Sequence, residues 1–402
     1  MAVTGSITTR FIDEKGVDLG KTLIEKDYLI SVYPNLLNQF DTPMLMTWGY
    51  NTQGELGDNT TTNRSSPVQT FTFGANWKQV SAGRYATAAI KTDGTLWGWG
   101  MNWLGGLGDN TIVKRSSPVQ TVAGGTNWKQ VSSGYPTAAA IKTDGTLWLW
   151  GQSSFGQLGD NTVVDKSSPV QTIAFGTNWK QVSIGISSNS AAIKTDGTLW
   201  CWGRNLRGNL GDNTITHRSS PVQTVAFGTN WKQVSCGGFY TAAIKNDGTL
   251  WLWGENAYGQ LGDNTLVNKS SPVQTVTFGT NWKSVAAGGN HTACIKTDGT
   301  LWTWGRNTFG ALGDNTTTHR SSPVQTVAFG TNWKQVTCGD LNISAIKTDG
   351  TLWTWGYAQY GQLGDNTTTS RSSPVQTILY GQNWKSISCG YCTVAAIKDG
   401  DF

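Results

Sequence analysis

Three histidines are the residues of this 402-residue chain best suited to acid–base or metal chemistry. His217, His291 and His319 fall in three different copies of an internal repeat, so the sequence does not gather them into one catalytic or metal-binding set. His217 and His319 each precede an arginine in a polar stretch, which is typical of solvated side chains. We therefore expect no catalytic residues, no bound metal and no cofactor.

The six cysteines also favour a structural role. Cys236, Cys338 and Cys389 occupy a position that is alanine or serine in other copies, which predicts small packed side chains. Cys389 and Cys392 form a Cys-x-x-Cys pair, and a redox or zinc role is the alternative, although no second pair accompanies them. The spacing does not resemble a disulfide framework, so we expect reduced thiols.

Each copy also contains Gly-Asp-Asn-Thr, for which calcium binding is the alternative to a turn. The motif lacks the dense alternating carboxylates of a calcium loop, and Asp and Asn side chains commonly close backbone turns. The repeated Thr-Asp-Gly-Thr-Leu-Trp is similar to the Asp-box hairpins of sialidase propellers, but those hairpins are structural. No arginine cluster of the kind expected in a sialidase can be picked out.

The repeat that carries these residues has a period of 51 residues with a single 52. A Trp-Gly pair marks its seven copies, at positions 48, 99, 150, 202, 253, 304 and 355. Each copy contains Leu-Gly-Asp-Asn-Thr, Ser-Ser-Pro-Val-Gln-Thr, Asn-Trp-Lys and Ile-Lys followed by Asp-Gly. A period near 50 residues with regular Gly and Trp indicates a propeller or a solenoid.

Three segments of each copy are typical of short strands: Lys-Gln-Val-Ser-x-Gly, Thr-Ala-Ala-Ile-Lys and Thr-Leu-Trp-x-Trp-Gly. Asp-Gly joins the last two as a hairpin turn. The C-terminal copy stops after its Ile-Lys strand, and residues 44–49 supply the missing strand at the front. We therefore predict an all-β, seven-bladed β-propeller over residues 44–402, closed by pairing of the N- and C-terminal strands.

The repeat resembles that of the regulator of chromosome condensation family over residues 44–402. The closest matches to the family pattern are Gly288-Gly289-Asn290-His291-Thr292 and Tyr258-Gly259-Gln260-Leu261-Gly262. The resemblance implies a propeller that binds partners through one face of the ring. Light sensing is disfavoured, because light-sensing relatives carry tryptophan in the Gly-x-x-His-Thr loop and no copy has one there.

Two loops should emerge together at the end of each blade opposite the Asp-Gly turn, and they differ most from copy to copy. Their aromatic, arginine and asparagine content is typical of recognition surfaces, whereas unconstrained drift of loop sequences is the alternative. The predicted binding face comprises Tyr50, Arg84, Tyr85, Trp103, Tyr135, Arg204, Arg207, Phe239, Tyr240, Tyr258, His291, Arg306, Phe309, Tyr357, Tyr360 and Tyr391.

Charge and hydropathy exclude several classes of protein. The 30 basic and 25 acidic residues give a net charge of +5, but most basic residues recur in every copy and so are spread around the ring. This pattern does not predict specific nucleic-acid binding. The N-terminus lacks the features of a secretory signal, and no apolar run is long enough for a membrane-spanning helix.

Residues 1–43 lie outside the repeats and form a predicted docking arm. Thr22-Leu23-Ile24-Glu25 reads as a capping box before a short helix that runs to Tyr33. An apolar stripe should dock on another protein, with packing against the chain's own ring as the alternative. The arm resembles N-terminal segments of tailed-phage structural proteins. The stripe comprises Ile24, Tyr28, Val32, Leu36, Leu37 and Phe40.

These features predict a non-catalytic recognition propeller. In this hypothesis it is a phage virion protein that is held on other virion or scaffold proteins by residues 1–43 and presents its variable face to a host-surface molecule or protein. The alternative is a soluble cytoplasmic regulator that binds a GTPase or an enzyme through the same face. An enzyme is the third and least favoured hypothesis.

Overall fold

The computed structural model describes residues 7–12, 18–24, 43–71, 76–173, 176–225, 228–276, 279–328, 330–379 and 381–399. Within them the chain forms 30 strands. None of the described residues belongs to a helix that could cross a lipid bilayer. In chain order the strands are β1 (Ile7–Ile12), β2 (Asp18–Ile24), β3 (Met44–Gly49), β4 (Arg64–Gln69), β5 (Trp77–Ala82), β6 (Ala86–Lys91), β7 (Leu96–Gly100), β8 (Arg115–Gln120), β9 (Trp128–Ser133), β10 (Thr137–Lys142), β11 (Leu147–Gly151), β12 (Lys166–Gln171), β13 (Trp179–Ile184), β14 (Asn189–Lys194), β15 (Leu199–Gly203), β16 (Arg218–Gln223), β17 (Trp231–Cys236), β18 (Tyr240–Lys245), β19 (Leu250–Gly254), β20 (Lys269–Gln274), β21 (Trp282–Ala287), β22 (His291–Lys296), β23 (Leu301–Gly305), β24 (Arg320–Gln325), β25 (Trp333–Cys338), β26 (Asn342–Lys347), β27 (Leu352–Gly356), β28 (Arg371–Gln376), β29 (Trp384–Cys389) and β30 (Thr393–Lys398).

Seven four-stranded antiparallel sheets form the blades of a propeller, as predicted. Blade 1 contains β5 to β8, and blades 2 to 6 follow with four consecutive strands each. The first strand of each blade is the innermost, since the first strands of neighbouring blades contact one another. Blade 7 combines β29 and β30 with β3 and β4, so the ring is closed by the two ends of the chain.

Two expectations about local structure were wrong or incomplete. Ser-Ser-Pro-Val-Gln forms a fourth, outermost strand in every blade. The sequence analysis did not predict this strand, because it contains proline and the three segments recognised as strands do not. Proline is tolerated there because no further strand pairs with the outer edge, so the N–H that proline lacks is not needed as a hydrogen-bond donor. The helix predicted to begin at Thr22 does not begin there. Thr22 lies in β2, whose backbone pairs with β1; Glu25–Tyr33 lies outside the described residues.

Buried tryptophans join neighbouring blades. The indole of Trp99 is fully buried and its Nε1 donates to the carbonyl of Glu55 in blade 7 at 2.9 Å. Gly57, with φ of +65°, lies against the same ring, and a Cβ there would come within 2.8 Å of Trp99 Nε1. The tryptophan of each Trp-Gly pair makes this contact with the preceding blade in all seven copies.

The outer edges are joined by the repeated Asp-Asn-Thr and Ser-Ser-Pro motifs. Asn59 N donates to the Ser116 carbonyl of the next blade at 2.8 Å, and the equivalent bond occurs at all seven junctions. The asparagine at this position has a positive φ, which asparagine tolerates better than most residues. The repeated motifs therefore hold the ring together, which explains why they vary so little between copies.

Candidate binding face

Both variable loops of a blade emerge on one face of the ring, here called the loop face. The inner loop joins the first and second strands, and the outer loop joins the third and fourth. Backbone hydrogen bonds connect them, as from Met101 N to the Tyr85 carbonyl at 2.8 Å. The Asp-Gly turns lie on the opposite turn face, where Asp93 accepts hydrogen bonds from Thr95.

The constant part of the outer loop is a hydrogen-bonded scaffold. In blade 1 the buried Asn102 accepts from Leu107 N at 3.0 Å and donates to Asp109 and to the Val113 carbonyl. Asp109 also pairs with Arg115 at 3.1 Å. These contacts hold the pKa of Asp109 below its ordinary value despite burial, with Thr111 contributing a further hydrogen bond. The turn-closing role expected for Asp and Asn is what the geometry supports.

A connected group of aromatic rings covers the loop face from blade 5 through blades 6, 7 and 1 to blade 2. Successive ring centroids lie 4.7 to 6.1 Å apart, and all of the rings are partly exposed. We call this group, together with Arg84, the tyrosine cluster. It contains Phe309, Tyr357, Tyr360, Tyr50, Tyr85, Tyr391 and Tyr135.

Arg84 is the cationic centre of the tyrosine cluster. Its guanidinium carbon lies 4.8 Å from the ring centroid of Tyr135, 4.6 Å from that of Tyr391 and 5.4 Å from that of Tyr85. Asp340 of blade 6 also faces this centre. Burial raises the pKa of the Asp340 carboxyl, while the positive charges of Arg84 and Arg306 oppose the rise. The sequence analysis did not single out Asp340, because its loop carries no aromatic signal.

Arg204 and Arg306 of the predicted face form separate cation–π contacts on blades 2 to 5. Arg204 lies between the rings of Phe155 and Phe239, at 4.8 and 4.9 Å from their centroids. Arg306 lies 5.2 Å from the Tyr258 centroid. Such stacking fixes long side chains before any partner arrives, which lowers the entropy lost on binding.

Arg207 and Trp103 are the most exposed of the predicted residues. The Arg207 side chain is 54% exposed and lies 3.7 Å from Glu255, and Trp103 is 57% exposed. Both belong to outer loops, Trp103 in blade 1 and Arg207 in blade 3. They therefore lie toward the rim of the loop face, apart from the tyrosine cluster.

Two of the predicted binding residues are buried and were wrongly assigned to the surface. Tyr240 and His291 are each 0% exposed. Each begins the second strand of its blade and points into the core, where the Tyr240 hydroxyl donates to the His291 carbonyl. Burial lowers the pKa of His291 to about 4. Other copies carry Asn189, Asn342 or Thr393 in this position, so it is a position of blade packing.

Glu55 is a buried acid of the loop face that the sequence analysis missed. It is 1% exposed, and burial raises its pKa to about 7. One carboxylate oxygen accepts from Gln53 N at 2.8 Å, and the other has no hydrogen-bond partner among the described residues. Gln157, Gln260 and Gln362 occupy the same position, which was the signal available in the sequence.

The cysteines of the Cys-x-x-Cys pair have different surroundings. Cys389 lies in the core, where its thiol is within 3.1 Å of the Ser344 hydroxyl. Cys392 is 2% exposed and lies beside Asp340, Arg84 and Glu55. Burial raises the pKa of each thiol to about 12, which disfavours the thiolate that redox or zinc chemistry requires.

Of the predicted docking stripe, Ile24 alone lies among the described residues. The backbone of Ile24 lies in β2. The other residues of the predicted stripe, Tyr28, Val32, Leu36, Leu37 and Phe40, lie outside the described residues.

Protein-family models match nearly the whole ring. The RCC1-like domain matches residues 41–284. The regulator of chromosome condensation (RCC1) repeat matches residues 282–311, 298–346 and 349–397. The family matches begin close to β3 and end at the last strand.

A characterised protein and two solved structures show the same similarity. The ultraviolet-B receptor UVR8 of Arabidopsis thaliana is 31% identical over 340 residues, which are 82% of this chain and 77% of the relative. The crystal structure of human WBSCR16 superposes with a TM-score of 0.79 at 20% identity and covers 90% of this chain and all of that one. Yeast RCC1 (Prp20) gives a TM-score of 0.79 at 18% identity, with 90% of each chain covered.

Proposed function

The chain belongs to the family of RCC1-like domains, and from this premise we propose that it is a non-catalytic recognition propeller that binds a protein through the tyrosine cluster. The family match and the 31% identity to a receptor support recognition as the activity. Yeast RCC1 (Prp20) is described with Kap60 bound and with binding to Gsp1p and histones. We infer that the partner of this chain is likewise a protein.

The observation that carries the proposal is the continuity of the tyrosine cluster. Tyrosine and arginine are the side chains that most often dominate protein interfaces, because each offers a large contact area and a polar group. Here the rings support one another, as in the edge-on contact of Tyr50 with Tyr360 at 5.0 Å. A partner therefore meets a surface that is already ordered.

The inner-loop position of Tyr85 carries different residue types in other blades. The position of Tyr85 is proline in blade 2, asparagine in blade 5 and leucine in blade 6. Variation of this kind within one chain makes alanine a tolerated residue there. Loss of binding in Tyr85→Ala would then report on the interface and not on folding.

The proposal is tested by affinity capture with the full-length chain, followed by mass spectrometry and titration of the captured protein. We expect Tyr85→Ala and Arg84→Ala each to weaken binding at least about tenfold, which corresponds to about 1.4 kcal/mol. Val122→Ala is the matched control, because Val122 is 52% exposed and lies on the turn face. Equal binding by all three variants would contradict the proposed surface.

A virion position is the finer form of this proposal. In that form residues 1–43 attach the propeller to a particle and the loop face meets the host. Its support is the resemblance of the arm to tailed-phage structural proteins. Deletion of residues 1–42 should abolish association with particles while leaving capture of the loop-face partner intact. A regulator of a GTPase or an enzyme would bind equally with and without the arm.

A further inference from the structure

The outer loops end in two-residue tips at the outer rim of the loop face. The tips directly follow Asp-Asn-Thr. In blades 1 to 4 they are Ile112-Val113, Val163-Val164, Ile215-Thr216 and Leu266-Val267, whereas in blades 5, 6 and 7 they are Thr317-Thr318, Thr368-Thr369 and Thr61-Thr62. We call the first four the apolar tips. Their seven apolar side chains are between 56% and 66% exposed.

Folding does not require apolar side chains at these positions. The Val113 carbonyl accepts from Asn102 at 3.1 Å, and the Thr318 carbonyl of blade 5 accepts from Asn307 at the same distance. The same loop is therefore built with either residue type. Exposed aliphatic residues confined to four consecutive blades indicate a contact surface.

The four blades are self-complementary in size about an axis that passes between blades 2 and 3. Such a twofold axis places blade 1 opposite blade 4 of a second copy, and blade 2 opposite blade 3. At the third residue after the Gly of each third strand, large and small residues then face each other. Trp103 meets Ala257, and Leu206 meets Ser154; all four side chains are exposed.

Charge is complementary about the same axis. Asp165 follows the tip of blade 2, and its Oδ1 accepts from Ser153 N at 2.7 Å. Opposite it stands Arg207 of blade 3, whose side chain is 54% exposed and lies 3.7 Å from Glu255. The imidazole of His217, in the same blade, packs edge-on against Phe155 with 5.0 Å between ring centroids. His217 Nδ1 accepts from Asn205 N at 2.9 Å, which leaves Nε2 directed away from that bond. A partner with the opposite arrangement of charge and bulk is supplied by the chain itself.

From these observations we propose that the apolar tips form an isologous interface with a second copy of this chain. A groove of about 420 Å³ beside Trp103 and Ile112, also lined by Gln53, Met101 and Lys114, supplies a receptor for the opposing tip. In the twofold arrangement the second copy's Leu266, which is 62% exposed here, enters that groove. The apolar tips belong to the outer loops of blades 1 to 4, whereas the outer-loop rings of the tyrosine cluster belong to blades 5, 6 and 7.

The test is the dissociation constant of the full-length dimer, measured by analytical ultracentrifugation. Trp103→Ala removes the large residue from both symmetry-related Trp103–Ala257 pairs, and Ala257→Trp places two indoles opposite each other. We expect either change alone to weaken the dimer about tenfold or more. The double variant moves the large residue to the other side of the same pair and should restore the dimer to within about threefold of the parent.

A second set of variants replaces the apolar tips by the residues that the chain itself uses elsewhere. Ile112→Thr, Val113→Thr, Leu266→Thr and Val267→Thr together should abolish association without changing the circular dichroism spectrum, because three blades already carry threonine there. Val122→Thr on the turn face is the control and should leave the dimer intact. Tyr85→Ala should also leave it intact, which separates this interface from the proposed partner site.

Three results would overturn the interface. The first is a chain that stays monomeric up to about 100 µM, a concentration at which even weak specific dimers form. The second is a dimer that tolerates the four threonine substitutions. The third is a dimer that appears only when residues 1–42 are deleted, since that result would place the arm on the apolar tips.

Discussion

Two buried ionisable side chains of this ring have pKa values displaced in opposite directions. Burial raises the pKa of Glu55 from 4.5 to about 7 and lowers that of His291 from 6.5 to about 4. The stability that protonated Glu55 contributes is complete below pH 4.5 and is lost as the pH rises through 7. The stability that neutral His291 contributes is complete above pH 6.5 and is lost as the pH falls through 4. Between pH 4.5 and 6.5 the two effects oppose each other.

Glu55→Gln should therefore stabilise the protein at neutral and alkaline pH. Gln260 in the same position already accepts from Tyr258 N at 2.9 Å, so the substitution keeps the bond that Glu55 accepts from Gln53 N. We expect a gain on the order of 3 kcal/mol at pH 8, which is the free energy of the displaced pKa, and little gain at pH 4.5. Urea unfolding across this pH range measures both.

His291→Asn is the matched counterpart, because Asn189 and Asn342 occupy the same position in blades 3 and 6. This substitution removes the stability that is lost when His291 becomes protonated at acidic pH. Only the pH dependence due to Glu55 then remains, so the free energy of unfolding should fall as the pH rises from 4.5 to 7. The Glu55→Gln variant should show the reverse slope between pH 4 and 6.5. Parallel pH profiles for the two variants would refute this account.

The inner strands have a free edge toward the ring axis, and side chains close it. Gln233 reaches the next inner strand, where it donates to the Val285 carbonyl at 3.0 Å and accepts from Val285 N at 3.1 Å. Ser235 accepts from Ala287 N in the same seam. This is why Lys-Gln-Val-Ser recurs: a glutamine amide offers the donor and acceptor that a neighbouring strand would supply.

The seam between blades 5 and 6 lacks both side chains. Ser284 occupies the glutamine position and Ala286 the serine position, and the Ser284 hydroxyl has no hydrogen-bond partner among the described residues. Ser284→Gln with Ala286→Ser should raise the free energy of unfolding by about 1–3 kcal/mol, at roughly 1 kcal/mol for each new hydrogen bond. Gln233→Ser, at the seam between blades 4 and 5, should lower it by a similar amount. Chemical denaturation measures both changes, and no gain in the first variant would refute the assigned role.

The elements that the sequence predicts well are those with a strong period or turn. The Asp-Gly turns and alternating strands predicted the middle two strands, and the missing partner of residues 44–49 predicted the closure. The outer strand escaped because its side chains are half-exposed and its sequence contains proline. At Thr22 a capping pattern was outweighed by pairing with β1, which no local signal reports.

The binding face was predictable to the level of the loop and not of the residue. Variation between copies located the loops, and most of their aromatic residues are exposed. Tyr240 and His291 were misplaced because they follow the loop by one position, where the chain turns into the core. Sequence alone cannot tell a loop residue from the first residue of the next strand when both positions vary.

At the scale of the whole molecule, closure of the ring distinguishes this repeat protein from an open solenoid. β30 pairs with β3 over six residue pairs, from Met44 with Lys398 to Gly49 with Thr393. Leu45, Ala395 and Ile397 then pack in one core cluster with Trp77 and Trp99 of blade 1. Each blade is thus held on both sides, so none acts as a terminal cap.

Truncation separates the contribution of closure from that of the arm. Deletion of residues 384–402 removes β29 and β30, leaves β3 with an unpaired edge and exposes the cluster around Trp77. We therefore expect this variant to lose its cooperative unfolding transition and to aggregate. Deletion of residues 1–42 leaves every blade complete and should shift Tm by less than about 2 °C, because roughly 1 kcal/mol changes Tm by only about 1–2 °C in a ring of this size. Calorimetry of both variants tests the boundary at residue 43. A large drop in Tm in the shorter deletion would mean that the arm belongs to the folding unit, because a segment that only docks on other proteins adds nothing to the stability of the isolated ring.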